Sequence, residues 1–171
     1  LAGSVIDDEE TGRPLYLVSQ IVDIDTRKRS AALVAEAETR WNFALATAGQ
    51  GMWDLDMRSG RITYSATWKT MLGYEPHELA GDPDRWLTLV HPEDRERVIA
   101  ADRRLHTGET EMFEAEFRIQ HKAGHWLWLL DRGRALERKP DGTILRAIGT
   151  LTAITARKLT EARLVQSAPL L

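Results

Sequence analysis

The chain has 171 residues, of which 43% are hydrophobic and 29% are charged, and its formal net charge is -3. This length suits one domain with a core plus extensions, and the composition is typical of a globular protein. The mixed, slightly acidic charge argues against a nucleic-acid surface, and no apolar run approaches the ~18 residues that a membrane helix needs. The absence of cysteine excludes disulfides, thiolate metal sites and a flavin–cysteinyl adduct.

One ending occurs twice in the chain. Residues 18–29, VSQIVDIDTRKR, return at residues 148–159 as IGTLTAITARKL, and a shift of 130 residues aligns the two copies without a gap back to Leu1. Both copies have a glycine turn, an alternating apolar run and a basic, helix-prone segment, so the repeat is one of structure as well as sequence. We predict that residues 1–25 are the tail of a preceding repeat and that the chain is an excerpt from a longer array.

The segment between the first copy and Gly49 predicts a helix, because it lacks proline and is rich in alanine and charged helix formers. Its apolar residues recur at alternating steps of three and four, a seam that can pack on a partner helix. The candidate dimer residues on this seam are Val34, Ala37, Trp41 and Ala44. We predict an exposed linker helix over residues 26–40. After Trp41, packing of the helix on its own domain is an equal alternative.

Two short strands follow. Trp53 and Leu55 alternate with acids, a tight turn falls at residues 58–60, and Ile62 and Tyr64 alternate with polar residues, which together predict a hairpin. Asp54 and Asp56 share the other face of the first strand, where solubilising the outer surface is their favoured role.

The rest of the chain predicts helices and then three strands. Residues 66–104 form short helices that begin at proline–acid pairs. Residues 113–154 form strands separated by turns at 123–124 and 140–142. This order predicts an α+β domain in which a five-stranded antiparallel sheet carries short helices on one face. An exit helix is predicted over residues 156–171.

The inward strand positions and the helices are predicted to enclose a small cavity. Its candidate lining residues are mostly large and apolar: Trp53, Tyr64, Met71, Leu72, Trp86, Leu89, Phe117 and Trp128. The favoured alternative is a filled core, because large aromatic side chains more often fill space than hold a ligand. Leu127 and Leu129 are predicted on the outer face of the sheet, where they can contact the N-terminal helix or a partner.

No metal or haem site is predicted from the histidines. His91 precedes a proline at a predicted helix start and is expected to shape that turn. His121 and His125 flank a strand turn and are expected to be exposed, so they offer neither an axial haem ligand nor a zinc site. No catalytic residue is predicted either, because the chain has no Gly-x-Ser-x-Gly turn and no phosphate-binding glycine loop.

Three segments, in order, resemble the PAS family with its C-terminal PAC motif. They are GMWDLDMRSGRITYSATWKTMLGYEPHEL, LVHPEDRERV and FRIQHKAGHWLWLLDRGRALERKPDGTILRAIGTLTAIT. The resemblance implies the PAS fold over residues 41–155, residues 1–25 as the C-terminal hairpin of an upstream PAS domain, and residues 156–171 as a signalling helix.

The resemblance also implies a function. It implies a sensory or relay module, not itself an enzyme, within a cytoplasmic histidine kinase or cyclic-dinucleotide enzyme. The expected partners are a second copy, through the flanking helices, and the neighbouring PAS and output domains, without nucleic acid or membrane insertion. Some PAS domains hold haem, flavin or a metabolite. Here no cofactor is expected, while a small metabolite, flavin or haem stays open. The alternative is a ligand-free dimerisation spacer.

The chain departs from the family pattern at the exit. PAS domains typically end in Asp-Ile-Thr, whose aspartate and threonine can cap the exit helix. The downstream copy has Ala153, Ile154 and Thr155, which are the candidate coupling residues, whereas the upstream copy keeps Asp23 and Ile24. Because a carboxylate is missing at position 153, the departure slightly favours the spacer interpretation.

Overall fold

The computed structural model describes residues 2–8, 10–20, 24–79 and 84–167, so Asp23 lies outside the described residues. The chain divides into two compact units, Leu1–Asn42 and Phe43–Leu171. The first contains strands β1 (Ala2–Asp7) and β2 (Pro14–Gln20), which pair antiparallel as a hairpin. Helix α1 (Ile24–Thr47) follows as one continuous helix.

The second unit holds the larger sheet. Its elements are β3 (Gln50–Asp56), β4 (Arg61–Tyr64), α2 (Ala66–Met71), α3 (Arg85–Leu89), α4 (Pro92–His106), β5 (Met112–Gln120), β6 (Trp126–Arg138), β7 (Ile144–Ala153) and α5 (Thr155–Ser167). The strands lie in the order β4-β3-β7-β6-β5, and all neighbours are antiparallel. The predicted α+β fold with a five-stranded antiparallel sheet is confirmed.

Side chains at the helix starts hold two helices in place. The Ser65 hydroxyl accepts hydrogen bonds from the Trp68 amide of α2 at 3.2 Å and from the Met52 amide of β3 at 2.9 Å. At the start of α4, His91 Nδ1 accepts from the Glu93 amide at 3.2 Å, ahead of a proline in the first turn. The prediction that His91 shapes this turn is confirmed, since an N-cap acceptor satisfies a backbone donor that the helix leaves open.

A nearly buried ion pair joins α4 to the sheet. Asp94 is 6% exposed, and its carboxylate accepts from the Arg118 side chain and amide on β5 at 3.0 and 2.9 Å. These bonds hold the pKa of Asp94 at about 2, below its ordinary range. The core beneath includes Leu72, Val98, Leu105 and Phe117.

Helix α1 presents its apolar seam to solvent. It has no buried residue, and the candidate dimer residues are all exposed, with Val34 at 59% and Trp41 at 60%, and with Ala37 and Ala44 also exposed. The helix continues without a break through residues 40 and 41, because nothing in its sequence interrupts helical backbone before Gly49, where φ is +67°.

The hairpins β1–β2 and β6–β7 have the same pairing. Gly3 pairs with Ser19 and Gly133 pairs with Gly149, and each residue of the second pair lies 130 positions after its counterpart. Both ladders become irregular near the same place, after Ile6 in the first and after Ala135 in the second. The sequence repeat is therefore matched by a repeat in strand register.

Candidate functional site

An internal cavity of about 60 Å³ lies on the inner face of the larger sheet, under the short helices. Six of the residues that line it are aromatic: Trp53, Tyr64, Trp68, Trp86, Phe113 and Phe117. The Tyr64 and Trp68 rings stack with centroids 4.0 Å apart, and Trp86 lies tilted against Phe117 at 6.0 Å. The walls are therefore largely faces and edges of aromatic rings.

The remaining lining residues are four aliphatic side chains and two acids. The aliphatic ones are Leu55, Ile62, Ile119 and Leu151, and the acids are Asp102 and Asp131. Among the described residues, no lysine, arginine or histidine lines the cavity. The charge of the lining is therefore negative whenever either acid is ionised.

Two glycines position the Trp53 indole. Gly133 and Gly149 face each other on β6 and β7, and Gly149 also pairs with Trp53 of β3. A Cβ atom at Gly133 would lie 2.7 Å from Trp53 Cη2, and one at Gly149 would overlap the same ring and lie 2.6 Å from the Arg132 carbonyl oxygen. The indole therefore lies directly on the backbone of the two strands, in space that any side chain would occupy.

Asp131 is the buried acid of the cavity. It is 6% exposed, and the Trp53 Nε1–H donates to its Oδ1 at 2.9 Å. Burial raises the pKa of Asp131 to about 7, the hydrogen bond from Trp53 opposes this shift, and the negative charge of Asp102 adds to it. A carboxyl group thus lies among aromatic rings with a pKa near neutral pH.

Asp102 of α4 marks the side at which the cavity approaches solvent. Its side chain is 44% exposed, and its Oδ2 lies 3.3 Å from His106 Nδ1. The hydrogen bond to the Asp102 side chain raises the pKa of His106, against the opposing effect of burial. The outer acid therefore has a cationic partner at low pH, whereas no cation is placed beside Asp131 among the described residues.

The structure brings four of the eight predicted lining residues together: Trp53, Tyr64, Trp86 and Phe117. Leu72 is completely buried in the core but does not line the cavity, and Met71 and Leu89 pack against that core. Met71 belongs to α2, Leu72 directly follows that helix and Leu89 belongs to α3, so these three side chains contribute to the packed core and not to the cavity wall.

Trp128 lies on the opposite face of the sheet from the cavity, so its predicted place is wrong. Its ring is 5.4 Å from the Arg118 guanidinium carbon and 5.2 Å from Lys158 Nζ. Leu129, predicted to face outward, is 0% exposed, and Leu127 packs against the core. Residues 126–130 are all apolar, so alternation does not reveal which face of β6 is buried. Two cations above Trp128 explain why a large apolar residue tolerates the outer face.

The sequence interpretation missed both acids of the cavity and the inward face of β6. A signal was present, because Gly133 and Gly149 are strand-interior glycines, which often mark close approach of another group. Once Gly133 is inward, period-two alternation also turns Asp131 and Leu129 inward.

The predicted coupling residues lie at the junction of β7 and α5. The Ile154 amide donates to the Trp128 carbonyl at 2.8 Å, and the Thr155 hydroxyl accepts from the Trp128 amide at 3.0 Å. Ala153 pairs with Leu129 at the end of the ladder. Strand β6 therefore holds the first residues of α5 through both backbone groups of one residue.

Charged side chains on the outer face strengthen this junction. Lys158 Nζ lies 2.6 Å from Glu116 of β5, and Arg157 pairs with the same carboxylate. These cations, Lys158 first, lower the pKa of Glu116. The first turn of α5 is thereby attached to both β5 and β6.

The other polar candidates have structural roles. Asp54 accepts from Arg146 at 3.1 and 2.6 Å on the outer face, and Asp56 accepts from the Arg58 amide in the turn at 2.9 Å. The His121 and His125 rings stack 4.3 Å apart. His125 is exposed as predicted, whereas His121 is half-buried, so its predicted exposure is wrong. Within the part of the chain that the structure describes, no three metal-ligating side chains cluster.

A family model described as the PAS fold matches residues 61–151. The chain belongs to the PAS-fold family. Its match begins at β4 and ends within β7, so it includes both acids of the cavity. In residues 2–8, 10–20, 24–79 and 84–167, no helix is long and apolar enough to cross a membrane.

Relatives of this PAS domain include sensor kinases. The blue-light-activated histidine kinase of Brucella ovis is 28% identical over 146 residues, which cover 85% of this chain and 28% of that protein. The sensor protein FixL of Bradyrhizobium diazoefficiens is 34% identical over 119 residues, 68% of this chain and 22% of that protein. A solved sensory box histidine kinase/response regulator from Burkholderia thailandensis is 31% identical, with a TM-score of 0.65 over 75% of this chain and 94% of that one. The chain thus spans less than a third of the length of each of the two curated relatives.

Flavin and haem do not fit the cavity of this PAS domain. Its volume of about 60 Å³ is well below the ~300–1,000 Å³ of pockets that hold drug-sized ligands. In addition, no histidine lines it among the described residues, and the chain has no cysteine for a flavin adduct.

Proposed function

We propose that this PAS domain is a sensory module of a larger signalling protein and that it passes a change in its cavity to the next domain through α5. The observation that carries the proposal is the double role of β6. Asp131 lines the cavity from this strand, and three residues earlier Trp128 holds the start of α5 through its amide and carbonyl groups. A shift of the strand therefore acts on the helix through two hydrogen bonds.

The parent protein is proposed to be a cytoplasmic histidine kinase. The support is that two relatives, 28% and 31% identical, are named as histidine kinases, and that a third, 34% identical, is named as a sensor protein. The module itself is proposed to be non-catalytic. Residues 1–25 are proposed to be the end of an upstream PAS domain, joined by the linker helix at 26–40 to the present domain at 41–155, with the matched hairpin register as support.

The module is proposed to form a homodimer through α1. The exposed seam of Val34, Ala37, Trp41 and Ala44 has the three-and-four spacing of a helix that packs on a partner. If two copies of α1 pack in parallel, a two-fold axis also relates the two α5 helices of the dimer. A change at the β6–α5 junction then occurs in both copies and alters the distance between the two α5 helices.

A structural dimerisation spacer is the alternative function. The small cavity and the missing carboxylate at Ala153 favour it. A spacer forms the same dimer, but its α5 helices do not respond to the cavity.

The test measures the distance between the two α5 helices of the dimer. A spin label on a cysteine introduced at the exposed position Gln166 is unique, because the chain has no other cysteine. Phe117→Leu perturbs the cavity, and we expect it to shift the label distance distribution. Adding Thr155→Val is expected to reduce that shift, since it removes the acceptor for Trp128.

Thr160→Val is the matched control, because the Thr160 hydroxyl donates within α5, to the Ala156 carbonyl at 3.0 Å, and forms no hydrogen bond with a strand in the described part of the chain. It is expected to leave the response to Phe117→Leu intact. If the protein is a dimer and Phe117→Leu leaves its label distances unchanged, the result supports the spacer and contradicts the sensory module. A protein that stays monomeric at all concentrations would contradict both functions.

A further inference from the structure

We infer that the cavity binds a small organic cation, a protonated amine of two to four heavy atoms, with its ammonium group on Asp131 and its carbon atoms against the aromatic walls. This inference rests on the proposed sensory function for its biological meaning, and it names the class of ligand. It stands on three features of the cavity: its charge, its walls and its size.

The charge of the lining favours a cation. Asp131 is almost completely buried, and its one hydrogen bond to a described residue comes from Trp53 Nε1 and ends on Oδ1. The other carboxylate oxygen can accept from a ligand. No described lysine, arginine or histidine lines the cavity to neutralise the acid. A buried carboxylate without a cation is unfavourable, so a positively charged ligand removes a penalty that the protein itself leaves in place.

The walls also favour a cation. Six aromatic side chains line the cavity, and the faces of such rings attract ammonium groups when water is excluded. The Trp53 indole is fixed between its hydrogen bond to Asp131 and the backbones of Gly133 and Gly149. The ring is therefore held beside the carboxylate before any ligand arrives, and little side-chain ordering has to accompany binding.

The size sets the length of the ligand. The cavity measures about 60 Å³, whereas an engineered apolar cavity of ~150 Å³ accepts benzene, a molecule of six heavy atoms. The smaller cavity therefore accommodates ligands of about two to four heavy atoms, such as methylammonium and ethylammonium. Because so few atoms make contact, binding is expected in the millimolar range.

The site is specific to the second copy of the repeat. The shift of 130 residues puts Leu1 at the place of Asp131 and Ser19 at the place of Gly149. The first copy thus has neither the acid nor the second glycine on which the indole lies. The cation site is not a general consequence of the repeated ending.

The inference predicts a pH dependence with a definite sign. Only the ionised acid pairs with an ammonium group, and Asp131 has a pKa of about 7. About a tenth of it is ionised at pH 6 and about nine-tenths at pH 8, so affinity should rise roughly tenfold between them. The other titratable groups that face the cavity are Asp102 on α4, with His106 beside it, and the Tyr64 hydroxyl on β4. The inward residues of β5 and β7 are apolar.

The experiment titrates the wild-type chain with ethylammonium chloride and follows the indole N–H resonance of Trp53 by ¹H–¹⁵N NMR. Ethanol is the neutral ligand of similar size, sodium acetate the anionic one, and sodium chloride the control for ionic strength. We expect a saturable shift with ethylammonium alone, with a dissociation constant about tenfold lower at pH 8 than at pH 6. An equal response to ethanol, or no saturable response to ethylammonium, overturns the inference.

Two variants distinguish the contributions of Asp131 and Asp102 to ethylammonium binding. Asp131→Asn keeps an acceptor for Trp53 and removes the charge, and we expect it to weaken ethylammonium binding at least tenfold and to abolish the pH dependence. Asp102→Asn, at the exposed edge, is expected to change affinity less than threefold and to keep the pH dependence. Equal binding by Asp131→Asn and the wild type contradicts the inference.

The readout is independent of the relay. A saturable indole shift without any change in the distance between the α5 labels leaves the cation site standing and contradicts the proposed sensory function. A response of α5 to Phe117→Leu without ethylammonium binding leaves the relay standing and contradicts the cation site.

Discussion

The hairpins β1–β2 and β6–β7 have the same register, offset by 130 residues, but they present different residues at the same places. In the second, two facing glycines receive the Trp53 indole and an acid lies two residues before one of them. In the first, a serine replaces one glycine and a leucine replaces the acid. The turn and the apolar alternation therefore determine the hairpin, whereas a few exchanged residues determine whether it can form part of a binding site.

The two helices that follow the hairpins add to the comparison. Helix α1 begins at Ile24 and α5 at Thr155, one residue apart after the shift of 130. The second junction has a threonine that accepts from β6, and the first has Asp25 at that position. The two helices thus begin at nearly equivalent positions, while the threonine that accepts from β6 in the second copy is an aspartate in the first.

The largest expected effect comes from filling the space under the indole. Gly149→Ala places a Cβ over the Trp53 ring and 2.6 Å from the Arg132 carbonyl oxygen. We expect the free energy of unfolding, measured with urea, to fall by about 3 kcal/mol. Ser19→Ala, at the equivalent place in the first hairpin, lies in the other compact unit and should leave this transition unchanged. Equal stability of Gly149→Ala and the wild type would show that the indole lies elsewhere.

The second prediction concerns the acid that the first copy lacks. The folded chain keeps a proton on Asp131 up to a pKa of about 7, whereas the ordinary value is 3.8. The folded state therefore binds the extra proton between pH 4 and 7, and stability contributed by this group falls as pH rises through that window. Asp131→Asn should be more stable than the wild type at pH 8, by on the order of 2 kcal/mol, with a smaller decline from pH 4 to 7. Parallel stability curves for the two proteins would contradict this.

The third prediction tests the junction. Thr155→Val removes the acceptor for the Trp128 amide, and we expect a loss of about 1 kcal/mol together with faster hydrogen exchange at that amide. Thr155→Asp introduces the residue of the first copy, retains an acceptor and should preserve most of the protection. If both variants exchange alike, the hydroxyl does not hold the helix to the strand.

The smallest expected effect is at the outer face. Lys158→Met removes the ion pair with Glu116 and the cation above Trp128. Because the contact is partly exposed, we expect a loss of about 0.5 kcal/mol that shrinks in high salt. The pKa of Glu116, measured by NMR, should rise, since Lys158 is the main cause of its lowering. A larger loss than that of Thr155→Val would reverse the order of importance proposed for the two contacts.

The predictable parts of this protein were those with local signals. The repeat was evident from the alignment of the chain with itself. The order of strands, turns and helices followed from hydrophobic periodicity, glycines and proline–acid pairs. His91 was placed because a residue before proline at a helix start has few other roles. Half of the cavity candidates were also placed together, since Trp53, Tyr64 and Phe117 lie on strands with clear alternation.

The sequence by itself determined the family, the elements and the repeated hairpin, because each depends on neighbours within a few residues or on a comparison of letters. Only the tertiary structure decided which face of β6 is buried. Five consecutive apolar residues carry no alternation, and Gly133 signals a close approach without naming the Trp53 ring that makes it. The burial of that face also places Asp131 beside Trp53. These two residues are 78 positions apart in the chain, and a hydrogen bond joins their side chains. The pKa of that acid depends on how deeply the fold buries it, and burial is a property of the packed whole.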